Sequence, residues 1–286
     1  MKISPRKWLG ARRALLPALA GFAVALTTAG LSLAKPQPGT GISLPVDASA
    51  DGHRIDWLIG VTNAITAVLF VAMTAWIFIA AIKHGEKHTA KYDHGTSKRS
   101  MFIALGMAGS VFVVVDGNLF VNSTMDLETV YHNFKEAEKD PNSVLIEVNG
   151  HQWAWDFRYA GPDGKFNTKD DIVRLNDMRI PVDTPIVIEV ASTDVIHSFN
   201  LPNMRTKVDA VPGQINKIWF KAKMTGEFDI GCAQHCGTNH YKMKALLTVL
   251  SKEEYAKWAK ETSAISERAY DEKDESAHWG WDWKDI

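Results

Sequence analysis

Both cysteines of this 286-residue chain lie in one short segment, Gly231-Cys232-Ala233-Gln234-His235-Cys236-Gly237-Thr238-Asn239-His240-Tyr241-Lys242-Met243. The second cysteine is four residues after the first, His240 four after that, and Met243 three further on. Two thiolates, an imidazole and a thioether are a soft donor set, which selects copper over magnesium, calcium or manganese. One cysteine followed by His240 and Met243 would suit a mononuclear copper site. The second adds a thiolate, and two thiolates can bridge two metal ions. If each ion is to have an imidazole, a second histidine is needed. His197, in Asp194-Val195-Ile196-His197-Ser198-Phe199-Asn200-Leu201-Pro202, is the candidate. It follows the strand-like run Ile186 to Val190, where a side chain beyond a strand end can point into a loop-built site.

Two cysteines in an exported domain can instead form a disulfide. His197, His240 and Met243 at these spacings weigh for metal. His235, between the cysteines, reads as a ligand or as a rim residue. His151 reads as a catalytic group or as a histidine hydrogen-bonded within the domain. Met204 and Met224 read as packing residues.

The pattern Cys-x-(Glu/Gln)-x-Cys-x3-His-x2-Met, with His-Ser-Phe upstream, resembles the dinuclear copper centre CuA of cytochrome c oxidase subunit II, from the haem–copper terminal oxidases. Gly150-His151-Gln152-Trp153-Ala154-Trp155 and Lys207-Val208-Asp209-Ala210-Val211-Pro212-Gly213 resemble two further stretches of that family, and the likeness runs from about residue 53 to 250. The resemblance implies a cupredoxin sandwich with the copper loop between its last two strands. It implies two coppers held by His197, Cys232, Cys236, His240, Met243 and the backbone carbonyl of Gln234. Cys232 to Met243 would then be one loop, and His197 would come from a separate loop. Trp153 matches the position where electrons from cytochrome c enter. Asp209 looks like part of the docking and interface surface. Trp155 is a second candidate there, on the same face as Trp153 if the strand is regular. Gln234 departs from the family's usual glutamate, whose side chain also binds magnesium. An amide is a poorer ligand for a hard cation, so the magnesium site is doubtful.

These residues need a scaffold. Val144 to Val148, Trp153 to Tyr159, Ile186 to Val190, Ile215 to Phe220, Phe228 to Ile230 and Ala245 to Leu250 read as short strands between Gly, Pro and Asn/Asp turns. That spacing suggests a β-sandwich or barrel. The fold expected is a mainly β, cupredoxin-like sandwich preceded by a two-helix transmembrane hairpin. In the polar stretch 162–171, Asp163, Asn167, Asp170 and Asp171 could ligate calcium, but the spacing is not that of an EF-hand, and a solvated turn is the competing reading.

A net charge of −1 with 46% hydrophobic residues fits neither a disordered nor a nucleic-acid-binding chain. Residues 1–34 read as a signal peptide, with a basic start, an apolar run and Ser32-Leu33-Ala34 as a cleavage site, or as an uncleaved first helix. Residues 35–56 form an extracytoplasmic segment. Residues 57–122 hold two apolar runs, Trp57 to Ile82 and Met101 to about Val121, each long enough to span a bilayer. The basic loop 83–100 between them places that loop in the cytoplasm. The copper domain, 123–250, then lies on the outer, periplasmic side of the inner membrane. Asp116 near the end of the second run is a candidate proton group or a snorkelling acid. Residues 251–286 read as a helix, Lys252 to about Tyr270, and an acidic tail with Trp279, Trp281 and Trp283, which suit a partner subunit or the membrane interface.

The resemblance implies an electron-accepting oxidase subunit. Its partners would be cytochrome c, subunit I, other oxidase subunits and the bilayer, with no nucleic acid. It would be an oxidoreductase and translocase component that holds no catalytic acid, base or nucleophile. The alternatives are the CuA subunit of a nitric oxide reductase and an extracytoplasmic copper carrier or assembly protein. A nitrous oxide reductase, a much larger soluble chain, conflicts with the two spans.

Overall fold

The computed structural model describes residues 44–270, apart from 86, 87, 90, 91 and 93, together with residue 273. The expected signal segment 1–34 and the tail tryptophans 279, 281 and 283 lie outside the described residues. Residues 44–46 belong to a separate unit from the rest, which begins at Asp47.

Helix α1 spans Gly52–Lys83. At 1.5 Å per residue it is about 48 Å long, more than a bilayer's hydrocarbon core. A second helical run begins at Lys98, where the Ser97 side chain accepts from the Ser100 amide. It comprises α2 (Lys98–Val111), a π-helical turn (Phe112–Asp116), α3 (Gly117–Asp126) and a second π-helical turn (Leu127–Tyr131), before the short α4 (Phe134–Lys139). Both runs are long and apolar enough to cross a membrane. Phe70, Trp76, Ile77, Phe102, Val113 and Phe120 stand exposed along them, and a helix that is apolar all round without a protein partner is suited to lipid. The second helix outlasts its apolar run, because Asn122, Ser123 and Asp126 end the hydrophobicity without breaking the helix. Asp116 therefore lies well inside the helix, in its first π-helical turn.

Among the described residues, ten strands build the part that follows these helices. They are β1 (Val144–His151), β2 (Ala154–Tyr159), β3 (Ile172–Leu175), β4 (Asp177–Pro181), β5 (Pro185–Ser192), β6 (His197–Leu201), β7 (Thr206–Ala210), β8 (Asn216–Lys221), β9 (Gly226–Cys232) and β10 (Lys244–Leu250). They form two five-stranded sheets in the orders β3-β2-β1-β5-β8 and β4-β10-β9-β6-β7. The β1–β5 and β10–β4 pairs are parallel and the other pairs antiparallel. Side chains alternate with period two. Ile146 and Val148, Trp155 and Phe157, Ile186 and Ile188 thus enter the core from one sheet, while Phe199, Leu247 and Val249 meet them from the other. This is the expected cupredoxin-like sandwich behind two apolar helices.

Strands β3, β4, β6 and β7 are additions to the sequence reading. The six expected strands are all present, although β2 begins at Ala154, so Trp153 lies in the β1–β2 turn. On the outer face of the first sheet Glu147 and Arg158 pair, both nearly without solvent exposure. Phe166 lies against the guanidinium and Asn167 accepts from it. The three carboxylates of the 162–171 loop each accept a hydrogen bond from within it. Asp163 accepts from the Lys165 amide, Asp171 from the Asn167 amide and Asp170 from Thr168. The loop is thus a self-bonded turn over a buried ion pair.

The C-terminal helix α5 (Lys252–Ala269) starts with a capping box, Ser251 and Glu254. It packs Trp258 edge-on against Tyr159, ring centroids 5.4 Å apart. Three contacts tie the helices to the sandwich: Arg205 to Asp56 at 2.6 Å, the Trp219 indole to the Val130 carbonyl at 2.6 Å, and Lys217 to Glu138 at 2.8 Å.

Candidate metal centre

The site forms where β9 ends and β10 begins. The Cys232 amide donates to the Met243 carbonyl at 3.1 Å, so the hairpin closes across the base of the loop between them. A 3₁₀ turn, His240–Lys242, folds the second half of the loop back. The Ala233 amide donates to the Ser198 carbonyl at 3.0 Å, which fastens the loop to β6. Gly237 has φ of 120°, and a Cβ there would lie 2.9 Å from the Gln152 amide nitrogen and 3.3 Å from the Trp153 ring. Only glycine fits that backbone and that space.

The loop brings the expected donors together. Cys232 Sγ and Cys236 Sγ are 3.8 Å apart. His197 Nδ1 is 4.0 Å from Cys232 Sγ, and His240 Nδ1 is 3.6 Å from Cys236 Sγ. Met243 Sδ lies 3.7 Å from Cys236 Sγ, and the Gln234 carbonyl 3.1 Å from Cys232 Sγ. The ligand atoms of His197, Cys232 and Cys236 all fall within 4.8 Å of one another. The thiols are free and are not joined as a disulfide. Two sulfurs at the middle, an imidazole on each side and weak donors beyond suit soft, copper-type ions. Cys236, Met243 and His197 are buried, while Cys232 and His240 are half-buried, so the cluster is a nearly dry pocket just beneath the surface.

His197 corrects one sequence reading. It is the first residue of β6, paired with Ala210 of β7, and not a loop residue. Strand pairing fixes its backbone, and Asp194 fixes its ring, with Nε2 2.8 Å from Asp194 Oδ1. Nε2–H donates to the carboxylate, so Nδ1, facing Cys232, is the ring's free ligand atom. Asp194 also accepts from the Gln152 amide at 2.7 Å and the Val195 amide at 2.5 Å. Burial raises its pKa, but these bonds outweigh burial and leave it below the usual carboxylate value. Sequence reasoning named Asp194 without giving it a role, although its place three residues before a ligand histidine was a readable signal.

The two thiols are electrically unequal. Burial pushes Cys232 up, but bonds with His197, the Ser198 and Gln234 backbone and His240 bring it down to about 6. Burial and the neighbouring Cys232 push Cys236 up to about 11. A first thiolate forms readily, and the second needs a further positive charge close by.

Trp155 is the second correction. It is fully buried, edge-on to His197 and to Phe199 with centroids 5.9 and 5.1 Å away. It can therefore offer no docking surface, while Trp153, in the turn before β2, is only partly buried and packs against the same core. Trp153 is half-buried on the rim, and Gln152 beside it donates to the Cys236 carbonyl at 2.7 Å. Asp209 is exposed and accepts from Ser198, the residue after His197, at 2.7 Å. His235 is exposed, its ring 5.6 Å from that of His240 and outside the donor cluster. His151 pairs with Asp156 at 3.1 Å. Met204 is core, whereas Met224 is 41% exposed and packs less than expected.

A family model described as cytochrome c oxidase subunit II, periplasmic domain, matches residues 144–250. The alternative cytochrome c oxidase subunit 2 of Bradyrhizobium diazoefficiens is 29% identical over 236 residues, covering 74% of this chain and 81% of its own. Cytochrome c oxidase subunit 2 of Cereibacter sphaeroides is 28% identical over 256 residues, covering 79% and 81%. Among solved structures, the periplasmic domain of subunit II of cytochrome oxidase of Bradyrhizobium japonicum is 31% identical and covers 43% of this chain and 94% of its own, with a TM-score of 0.39.

Proposed function

The chain belongs to the cytochrome c oxidase subunit II family, and from there we propose that it takes single electrons from a cytochrome c outside the membrane at a dinuclear CuA centre and hands them to haem in subunit I. The observation that carries this reading is the pair of free sulfurs 3.8 Å apart, flanked by the Nδ1 atoms of two histidines.

Cys232 and Cys236 would hold the coppers through their thiolates, His197 and His240 would each add an imidazole, and Met243 and the Gln234 carbonyl would be weak donors. Copper bound there would supply a one-electron redox couple. The protein's share is rigidity. Asp194 holds the His197 ring, the β9–β10 closure holds both ends of the loop, and Trp155 and Phe199 fill the space beneath. Side chains locked in this way cannot rearrange at each electron transfer. Trp153 would pass electrons inward, with Gln152 bonding its turn to the Cys236 backbone.

The two helices would place the chain in a bacterial inner membrane. The 83–100 loop would face the cytoplasm and the sandwich the periplasm, giving the domain order 35–56, 57–122, 123–250 and 251–286. Gln234 leaves the glutamate-dependent magnesium site without its carboxylate.

Purification through a tag on this chain tests the reading. The expected result is a haem-bearing subunit in the same complex and oxygen uptake driven by reduced cytochrome c. Uptake of nitric oxide instead would favour a reductase, and a haem-free monomer that gives up copper would mean a carrier.

A further inference from the structure

Gly150 opens the Gly-His-Gln-Trp-Ala-Trp stretch and offers no side chain to the centre. It lies near the end of β1, a strand flanked by β2 and β5. Its partners there are Trp155 and Ser192, and its carbonyl accepts from the Thr193 amide at 3.3 Å. Held on both sides, its backbone has little freedom to retreat. Its φ lies outside the left-handed region, so conformation does not call for a glycine. Space does. A Cβ on residue 150 would lie 2.9 Å from Trp155 Cζ3, 3.2 Å from His197 Cδ2 and 3.4 Å from His197 Cγ. The first approach is a clash, and the second is tighter than ordinary contact between carbons. Trp155 is fully buried and packs on Phe199, ring centroids 5.1 Å apart, so the indole cannot swing away.

We infer that Gly150 is a positioning residue for the metal centre: the first sheet omits a side chain there, and the His197 imidazole takes part of the space that side chain would need. The ring is then defined from three directions. Asp194 takes Nε2, Cys232 faces Nδ1, and residue 150 sets the approach at the Cγ–Cδ2 bond. A methyl group at 150 would push the ring off by a few tenths of an ångström. A ring anchored through one nitrogen and aimed through the other cannot shift without disturbing one of them. The inference rests on the CuA reading of the site and adds a residue that places one ligand without touching metal.

The test uses the copper-loaded full chain carrying Gly150→Ala, Trp155→Phe or both. Phenylalanine lacks the Cζ3 end of the indole, so the 2.9 Å clash goes and the 3.2 Å approach to His197 stays. Three quantities are read: copper affinity by competition with a chelator, the coupling of the unpaired electron to each imidazole nitrogen, and the melting temperature. Gly150→Ala alone is expected to lower the melting temperature and to weaken copper binding about tenfold or more, as for groups that orient a ligand histidine. Added to Trp155→Phe, it should cost little melting temperature and still weaken copper binding. It should also change the coupling of one imidazole, that of His197, and leave that of His240. General loosening of the core would move both. The inference is overturned if the pair matches Trp155→Phe alone in affinity and couplings, because the glycine then serves only to pack the indole. It is also overturned if the pair does not fold, because the ring then cannot absorb the remaining approach. An unaltered chain without two coppers sharing one electron sinks the CuA reading instead. The magnetic resonance signals of the His197 ring in copper-free protein then decide the role of Gly150 by themselves: they shift between Trp155→Phe and the pair, or the inference falls too.

Discussion

Asp194 has the largest part among the residues that ligate nothing. It chooses which nitrogen of His197 faces the sulfurs and holds the ring there. Asp194→Asn replaces a charged acceptor with an amide that can turn either end toward the ring. The expected result is copper affinity lower by about 10- to 100-fold, the range for partners that orient a ligand histidine. Competition with a chelator reads this directly, and unchanged affinity would mean that strand pairing alone orients His197. The thiols give a second prediction. In copper-free protein the first alkylation should follow the thiolate of Cys232, with a rate that rises as pH passes through about 6. Cys236, held up to about 11, should react only at much higher pH. Peptide mapping after brief alkylation near neutral pH checks this, and equal labelling of both would contradict the asymmetry.

At the scale of elements, the loop between β9 and β10 fits against Gln152 and Trp153 only because residue 237 is a glycine. Gly237→Ala would force a side chain into the left-handed region and against Gln152 and Trp153. Strain of this kind costs on the order of 1–3 kcal/mol. A lower melting temperature and weaker copper retention are expected, and wild-type values for both would show that the loop can relax. The donor set was legible in the sequence because four of its side chains fall within one short loop, where spacing alone limits geometry. The strand beneath it was harder to read. β6 is only five residues and carries His197, Ser198 and Asn200 among its apolar positions, so His197 read as a loop residue. β3 and β4 are equally short, separated by Asn176 in a left-handed conformation, and leave little periodic pattern. Trp155 was misplaced as a docking candidate because alternation along a strand does not tell which face the second sheet covers, and its ring lies in the core against His197 and Phe199. The length of the second helix was hidden for a different reason. Hydropathy reports where a helix leaves an apolar medium and carries no information on where its hydrogen bonds stop.

At the scale of the whole molecule, the apolar helices and the sandwich are joined by short polar contacts. The ion pair of Asp56 and Arg205 connects α1 to the turn after β6, the strand that carries His197 at its other end. The metal centre is therefore built on an element braced against the helices. The same arrangement organises the proposed function, since electrons must cross from a soluble carrier to a membrane-embedded haem through a site that does not move. That account stands or falls on two metal ions sharing two sulfurs. The most direct measurement is the copper content of the loaded full chain together with its electron paramagnetic resonance spectrum. The account predicts two coppers per chain, with one unpaired electron shared equally between both nuclei. One copper per chain, with the four-line pattern of a single nucleus, would contradict it.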